Sequence, residues 1–381
     1  MGDMIRSDII GGFQRLKEIG AGAQAKVWKA KCVEDVHGIV SRGAIVALKI
    51  KNVQSSDSDE QFERLKRRVD ELKAMKDPNV VRYLGCFRDR SAELDRHVIV
   101  QEYLEGETLK ERLSKLRLGL DVDEGLRIVR EAASGLSYTS GLKIFHRDIK
   151  PGNIFLCEDG SVKLIDFGVA KQDGETVDGA SNFRGTFDYM APDFMSSTFS
   201  GDHQSDIFSL GVVLHEIISG KLPYIDGAGS DWQGWMSRWR QWTADSDKAD
   251  SPIFVHAMTL RLLNGANEVL EKALEPNRAK RYQSFEEFSK DLDKITFYEQ
   301  KHEGRTYRRL QFVGKGGFGE VFKARWLEEN VDVAIKQLLN AEYAKRFLTE
   351  AKVMQELQDP CFECLWKNKF ENMLVSIKQY H

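Results

Sequence analysis

The stretch "FHRDIKPGN", residues 145–153, carries the most specific chemical information in this sequence. It places a carboxylate at Asp148, an ammonium group two residues later at Lys150, and a carboxamide at Asn153. The sequence "DFG" begins 13 residues after Asn153 with a second carboxylate, Asp166. Phosphoryl transfer needs a base for the attacking hydroxyl, a cation near the moving phosphoryl group and oxygen ligands for Mg²⁺. The spacing of these residues therefore indicates phosphoryl-transfer chemistry.

A glycine-rich stretch and a lysine lie upstream of this motif. The pattern Gly20-x-Gly22-x-x-Ala25 is followed, 29 residues after Gly20, by Lys49 in "VALKI". Glycine lets backbone N–H groups approach phosphate oxygens because it has no Cβ. The glycine pattern alone also fits any tight β-turn. Together with a lysine on a following strand it indicates a phosphate-binding hairpin.

The distribution of apolar residues predicts an α+β chain. Residues 13–104 contain short β-type runs interrupted by one charged helical stretch, "DEQFERLKRRVDELKAMK". Residues 105–296 have mostly helical patterns, with strand-sized pieces at "IFL" and "VKLID". A β-rich lobe with one main helix and a mostly helical lobe predict a cleft between them. Residues 297–304 are predicted to be a linker.

Residues 13–296 resemble the eukaryotic-type (Hanks-type) serine/threonine protein kinases, whose signature motifs occur here in order. The phrase "AKRYQSFEEF" looks most like bacterial members of that family. The resemblance implies the bilobal protein-kinase fold, with lobes 13–104 and 105–296. It also implies ATP and Mg²⁺ as cofactors, proteins with Ser or Thr as substrates, and autophosphorylation of the activation segment.

The resemblance assigns roles to individual residues. Asp148 would be the catalytic base, assisted by Lys150 and Lys49, and Asn153 and Asp166 would bind the metal. The residues implied to bind the nucleotide are Gly20, Gly22, Val27, Ala47, Lys49, Glu102, Leu104 and Phe155. Val27, Ala47 and Phe155 would enclose the adenine, and Glu102 and Leu104 belong to the implied hinge. Asp206 matches the aspartate that supports the backbone of the catalytic loop.

One position departs from the family pattern. The glutamate that pairs with the strand lysine normally lies about ten residues before the proline of "DPNVV", and counting back from Pro78 reaches Arg68. Two cations cannot form an ion pair. We therefore expect Lys49 to pair with Glu71, which lies on nearly the same helix face, with Asp166 as a second partner.

This departure keeps a second interpretation open. Glu63 is a weaker candidate for the missing carboxylate, and the site could instead have decayed. The chain would then be a pseudokinase, acting as a nucleotide-binding scaffold or interaction module. A kinase for small molecules is a third interpretation. The long segment 166–193, with its "GTFDYMAPD" end, disfavours it because such a segment shapes a platform for peptides.

The activation segment carries candidate modification sites. Arg147 precedes Asp148, and in the family this arginine belongs to kinases whose segment is ordered by phosphorylation. Thr176 and Ser181 are the candidate phosphorylation sites. Order without a phosphate is the alternative.

Residues 305–381 repeat the beginning of the domain. "YRRLQFVGKGGFGEVFKAR" resembles "FQRLKEIGAGAQAKVWKAK", and Lys336 and Glu350 match the family's lysine and helix glutamate. After Pro360 the sequence predicts no further strands, hinge, base or metal ligands. We expect a partial second kinase N-lobe and tail without catalytic activity. A truncated tandem domain, an artefact of the reading frame and an accessory module all remain open.

The stretch "DWQGWMSRWRQW", residues 231–242, contains an insert at 232–242 whose tryptophans are spaced by 3, 4 and 3 residues, which predicts one helical stripe. The stripe would either pack on its own helical lobe or dock a protein partner.

The overall composition excludes several classes of protein. The 381 residues are 41% hydrophobic and 30% charged, with a net charge of −3, so general binding to nucleic acid is not expected. The sequence shows neither a signal peptide nor an apolar run long enough to cross a bilayer. Its five cysteines are few and odd in number, as in a reducing cytosol. We expect a soluble cytoplasmic protein without membrane contact and leave its oligomeric state open.

Overall fold

The structure is a computed structural model of the 381-residue chain. The residues it describes are 9–21, 25–36, 38–53, 59–90, 95–115, 120–167, 187–195, 201–223, 234, 263–302, 304–316, 319–338 and 376–378. Several predictions lie outside these residues: Gly22, Thr176, Ser181, the tryptophans of the insert and Glu350. The chain divides into two compact units, residues 1–112 with 131–209 and residues 113–130 with 210–381. In the described part of the chain, no helix is long and apolar enough to cross a bilayer.

The first unit contains a six-stranded sheet in the order β1-β2-β3-β4-β6-β5, with antiparallel neighbours. Its strands are β1 (Ile9–Ile10), β2 (Phe13–Ala21), β3 (Lys26–Cys32), β4 (Ile45–Asn52), β5 (Tyr83–Arg90) and β6 (Asp95–Glu102). On β4, the side chains of Val46, Leu48 and Ile50 belong to the hydrophobic core. Because side chains alternate along a strand, Ala47 and Lys49 lie on the opposite face.

Helix α1 (Asp59–Lys73) joins β4 to β5 in the chain. Its first turn is acidic and its last turn is basic, which is the favourable arrangement for the helix dipole. Val69 and Leu72, three residues apart, are its buried side chains. The helix therefore presents a narrow apolar stripe to the protein and a charged surface to water.

A small sheet carries the residues that lead to the second carboxylate. It consists of β7 (Gly106–Thr108), β8 (Ile154–Cys157) and β9 (Val162–Leu164). Leu164 donates its N–H to the carbonyl of Asn79 (2.8 Å) and accepts the N–H of Val81 (3.0 Å). These bonds tie β9 to the segment that follows α1.

Further α-helices in the described residues before 220 are α2 (Leu109–Lys115), α3 (Val122–Gly141) and α4 (His203–Ser219). The second unit also contains α5 (Ala266–Ala273), α6 (Phe285–Leu292) and the short pair β10 (Leu263–Asn264) and β11 (Thr296–Phe297). Helix α6 begins at Ser284, whose Oγ accepts the N–H of Glu287. Its buried side chains recur at helical spacing: Phe285, Phe288 and Leu292.

A five-stranded sheet completes the second unit. In order, its strands are β12 (Glu299–His302), β13 (Arg305–Gly316), β14 (Gly319–Trp326), β15 (Val331–Leu338) and β16 (Ser376–Lys378). Tyr307, Ala324, Val333 and Ile335 form its core. The predicted linker 297–304 is not a free connector, because β12 lies within it and pairs with β13. This pairing satisfies the backbone N–H and C=O groups of β12 that face β13.

The two sheets share the same strand register. In the first sheet Gly20 lies opposite Val27, and Val27 lies opposite Lys49. In the second sheet the corresponding sequence Gly314, Val321, Lys336 is paired in the same way. Both hairpins also have two register shifts at corresponding positions. The likeness of the two sequence segments is therefore also a likeness of backbone pairing.

Strand β16 corrects one expectation. The sequence after Pro360 was predicted to contain no further strand, and this is wrong for Ser376–Lys378. Ile377 lies opposite Ala334 on β15, as Gln101 lies opposite Ala47 in the first sheet. The strand was missed because three residues far from their partner give no detectable alternation in sequence.

Candidate active site

The catalytic-loop residues lie together in the first unit. Lys150 Nζ is 2.9 Å from Asp148 Oδ2. Asn153 Nδ2 donates to the carbonyl oxygen of Asp148 (2.7 Å) and to Asp148 Oδ2 (3.0 Å). The Asn153 carbonyl also accepts the N–H of Ile165, one residue before Asp166 (3.0 Å). This network fixes the Asp148 carboxylate and joins its loop to the strand segment carrying Asp166.

Asp206, near the start of α4, holds the backbone of this loop. Its two carboxylate oxygens accept the N–H groups of His146 and Arg147, each at 2.7 Å. The residue is 2% exposed. The predicted support of the loop by Asp206 is confirmed. Burial raises the pKa of Asp206 to about 7, although the two N–H donors act in the opposite direction.

The loop needs this support because its backbone is strained. Arg147 has a φ of 63° and Asp166 a φ of 62°, the left-handed region that L-residues rarely adopt. Arg147 directly precedes Asp148, and Asp166 is itself the second carboxylate. The rings of His146 and Phe167, which lie near these two carboxylates in the sequence, pack 4.6 Å apart.

Lys49 forms its ion pair with Asp166. The Nζ to Oδ1 distance is 2.9 Å, and both side chains are partly exposed. The pair brings together a β4 residue and one that lies 117 positions later. The expected second partner of Lys49 is therefore the one observed.

The preference for Glu71 as the partner of Lys49 is wrong in this structure. Glu71 Oε2 instead lies 2.9 Å from Arg68 Nη1 and forms an ion pair with it within the same helix. A pair three residues apart forms at little entropic cost, because the helix already holds both side chains on neighbouring positions. The Glu71 carboxylate therefore pairs with Arg68, and Lys49 pairs with Asp166.

The nucleotide-binding candidates lie on the expected strands. Val27 lies directly opposite Lys49, and Ala47 precedes Lys49 by two residues on β4, so the three side chains share one face of the sheet. Phe155 lies on β8, opposite Thr108 and Lys163.

Gly20 lies in the β2–β3 hairpin, opposite Val27. A Cβ added there would come no closer than 3.7 Å to Val27, an ordinary contact. Internal packing therefore does not require glycine at this position. The approach of a phosphate to the backbone from outside would require it.

The predicted hinge follows β6. The backbone N–H of Glu102 is bonded to the carbonyl of Arg82 (3.0 Å), and its carboxylate pairs with Lys163 (3.0 Å). Leu104 lies in the short segment between β6 and β7. Glu102 is thus held from two sides.

The residues present fit a hard divalent cation. Mg²⁺ prefers carboxylate and amide oxygens. Because Asn153 uses its amide nitrogen for both bonds to Asp148, its amide oxygen is the atom suited to a metal. Asp166 supplies a carboxylate, and no sulfur or imidazole ligand is required. The roles of these residues remain predictions from the geometry.

Tyr83 is a nearby residue that the sequence did not indicate. It is 3% exposed on β5 and lies opposite Gln101. Its pKa is raised, mainly by burial and next by the charge of Asp166, while the charge of Arg68 lowers it. The hydroxyl therefore lies within the electric field of both groups. An aromatic residue in an apolar run predicts core packing and gives no signal for such a position.

Comparison with protein families agrees with this geometry. The sequence model described as "Protein kinase domain" matches residues 13–291. The chain belongs to the protein kinase domain family. The model described as "Protein tyrosine and serine/threonine kinase" matches residues 308–367. This second match covers part of the five-stranded sheet.

Curated relatives of this kinase domain come from bacteria and eukaryotes. A probable serine/threonine-protein kinase of Clostridium perfringens is 29% identical over 296 residues, covering 74% of this chain and 38% of the relative. Serine/threonine-protein kinase PrkC of Bacillus subtilis is 32% identical over 222 residues, covering 58% and 32%. Mitogen-activated protein kinase kinase 9 of Arabidopsis thaliana is 33% identical, covering 58% and 68%. The chain spans only 38% and 32% of the two bacterial relatives.

Solved structures share the fold. The kinase domain of Mycobacterium tuberculosis PknI superposes with a TM-score of 0.53 at 19% identity, covering 75% of this chain and 96% of that one. At this identity the likeness establishes the protein kinase fold alone. The expected α+β kinase fold is confirmed.

Proposed function

We propose that the chain is a serine/threonine protein kinase that transfers the γ-phosphoryl group of ATP to Ser or Thr hydroxyls of proteins. The observation that carries the proposal is the Asp148 carboxylate, fixed by Lys150 and Asn153 and joined through Ile165 to the Lys49–Asp166 pair. The named relatives are serine/threonine kinases, which supports this substrate class.

Asp148 acts as the base. One carboxylate oxygen is held by Lys150 and Asn153, and the carboxylate orients the substrate hydroxyl and accepts its proton. Lys150, 2.9 Å from that carboxylate, also offers positive charge to the phosphoryl group as it moves. The hydroxyl oxygen forms the new bond to phosphorus, and ADP leaves.

Lys49, Asp166 and Asn153 position the nucleotide. Lys49 binds phosphate oxygens from the sheet face that it shares with Val27 and Ala47. Mg²⁺, when bound, neutralises charge on the phosphates. Asn153 and Asp166 would hold it through their side-chain oxygens.

We also propose autophosphorylation of the activation segment. Its support is Arg147, whose Nε donates to the carbonyl of Gly201 (3.2 Å) just after that segment. An arginine fixed at this position is suited to bind a phosphate on the chain.

The described cysteines Cys32, Cys86 and Cys157 are free thiols, which supports a cytoplasmic location.

The second candidate is a pseudokinase that binds nucleotide and acts as a scaffold. The observation that favours it is Arg68, which replaces the family's glutamate and engages Glu71. In that case nucleotide would bind without transfer.

The deciding experiment is incubation of the recombinant chain with ATP, Mg²⁺ and a general protein substrate, followed by mass spectrometry. The kinase hypothesis predicts added phosphate on substrate and on residues 168–186, and its loss in the Asp148→Asn variant. Saturable binding of a fluorescent ATP analogue without any phosphorylation would instead establish the pseudokinase.

A further inference from the structure

We propose that Arg88 and Arg90 on β5 position the N-terminal end of α1 by binding Asp59. These three residues form an ionic clamp. In this chain the clamp positions the helix, because Lys49 pairs with Asp166 and not with a carboxylate of α1. Its effect on catalysis rests on the proposed kinase function, whereas its effect on the helix does not.

The clamp is built from direct contacts. Asp59 Oδ1, in the first turn of α1, is bonded to Arg88 Nη1 and to Arg90 Nη2. Arg88 is 12% exposed, and its Nε is 2.8 Å from Asp95 Oδ1. Because Asp95 already fixes Arg88, the guanidinium is preorganised to receive Asp59. Asp59 itself is 82% exposed, so water and salt reach the pair.

The two ends of α1 are held in different ways. At its C-terminal end, the segment after the helix makes backbone bonds: Lys76 donates to Tyr138 Oη (3.0 Å), and Asn79 accepts from Leu164 (2.8 Å). At the N-terminal end the contacts come from side chains: the clamp and the ring of Phe62, 5.1 Å from that of His97. The C-terminal end of α1 is therefore the fixed end, and the N-terminal end is the one whose position depends on the clamp.

The middle of the helix supplies no ion pair to Lys49. Arg68 binds Glu71 within the helix, and Lys49 binds Asp166. Rotation of α1 about its C-terminal end would move Arg68 and Glu71, which pair within the helix, relative to strand β5. Lys49 and Asp166 do not belong to this helix, and their ion pair stays in place.

The size of the clamp's effect follows from the exposure of Asp59 to solvent. Ion pairs open to solvent contribute little to stability, so loss of the clamp should change the clamped population by about fivefold at most. Salt weakens such pairs, because the Debye length falls to roughly 3 Å at 1 M. The clamp is therefore a salt-sensitive device that modulates the helix by a few-fold.

The test compares Asp59→Asn with Glu60→Gln in the full chain. Both variants remove one negative charge from the first turn, but Glu60 pairs with Arg64 inside the helix (3.0 Å) and does not bind β5. Hydrogen exchange of α1 amides is measured by mass spectrometry, at 50 mM and 1 M salt. We expect exchange to be about three- to fivefold faster in Asp59→Asn, unchanged in Glu60→Gln, and restored in Asp59→Glu. High salt should accelerate exchange in the wild type and leave Asp59→Asn unaffected.

A kinetic readout adds the link to function. In Asp59→Asn we expect kcat to fall about two- to fivefold, while the KM for ATP stays within about twofold because Lys49 and Asp166 are not displaced. Equal exchange in Asp59→Asn and Glu60→Gln would overturn the clamp. If Asp59→Asn does not fold, Arg90→Gln, on the exposed arginine, provides the same comparison. A chain without kinase activity leaves the exchange comparison intact, so failure of the proposed function and failure of the clamp are distinguishable.

Discussion

Replacing Asp206 by Asn tests whether the catalytic loop depends on a single buried carboxylate. The carboxylate accepts two N–H groups, from His146 and Arg147, each at 2.7 Å. Asn has nearly the same volume but offers one oxygen and one NH₂ group. In either orientation of the amide, its NH₂ group faces one of the two loop N–H donors, so one hydrogen bond is lost. The variant therefore breaks one bond without creating a cavity.

The magnitude follows from the lost bond. A hydrogen bond to a charged group contributes about 1.5–3 kcal/mol. If this energy holds the left-handed Arg147 and the adjacent Asp148 in place, its loss lowers kcat by roughly 10- to 100-fold. Unfolding should be affected less, because Asn also removes the cost of burying a charge, and we expect a change below about 2 kcal/mol.

The pH dependence gives a second readout. The pKa of Asp206 is about 7 in the folded protein and 3.8 in the reference state. A carboxyl with a raised pKa binds its proton more tightly when folded, so its contribution to the free energy of unfolding is largest below about pH 4 and is lost as the pH rises toward 7. The effect of pH on kcat has the opposite sign to its effect on stability. Protonation places an O–H against one loop N–H, so kcat of the wild type should fall below about pH 7.

The assay measures kcat with ATP from pH 5.5 to 8.5 and urea unfolding of the same samples. Ser209→Ala is the control, since its Oγ donates to the carbonyl of Ser205 (3.0 Å) within the helix and makes no bond to the loop. Asp206→Asn should lose both the activity and the pH step near 7, and Ser209→Ala should keep both. A folded Asp206→Asn protein that retains more than half of the wild-type kcat would refute the reasoning.

Three further predictions concern the site and its supports. Asp148→Asn should reduce phosphoryl transfer by about 10²- to 10⁴-fold while a fluorescent nucleotide binds within a few-fold of wild type, and unchanged transfer would exclude Asp148 as the base. Gly106→Ala should destabilise the protein by about 2–4 kcal/mol in urea unfolding, because φ is +142° and a Cβ would lie 2.0 Å from the Leu156 carbonyl oxygen. Gly152→Ala, with only a contact at 3.9 Å, is its control and should change stability by less than 1 kcal/mol. Glu71→Gln should keep at least half of the activity, since only an exposed intrahelical pair is lost, and a loss of tenfold or more would show that Glu71 binds Lys49 during turnover.

The sequence by itself determined the parts of the site whose geometry is local. In "FHRDIKPGN" the interacting groups lie within five residues, so the spacing of Asp148, Lys150 and Asn153 already fixes which side chains can meet. The hairpin that opposes Gly20 to Val27 is likewise a short-range structure, which is why its repeat at Gly314 was also detectable. The order of these motifs along the chain resembles that in protein kinases, and this resemblance implied the kinase fold.

Only the tertiary structure decided which partner Lys49 takes. Several carboxylates were candidate partners of Lys49 in the sequence, and in the structure Lys49 pairs with Asp166 while Arg68 pairs with Glu71. The same holds for β16, which joins its sheet from nearly 40 residues beyond its partner strand. Contacts between distant residues depend on where whole elements pack. A pattern within one short window of sequence does not contain that information.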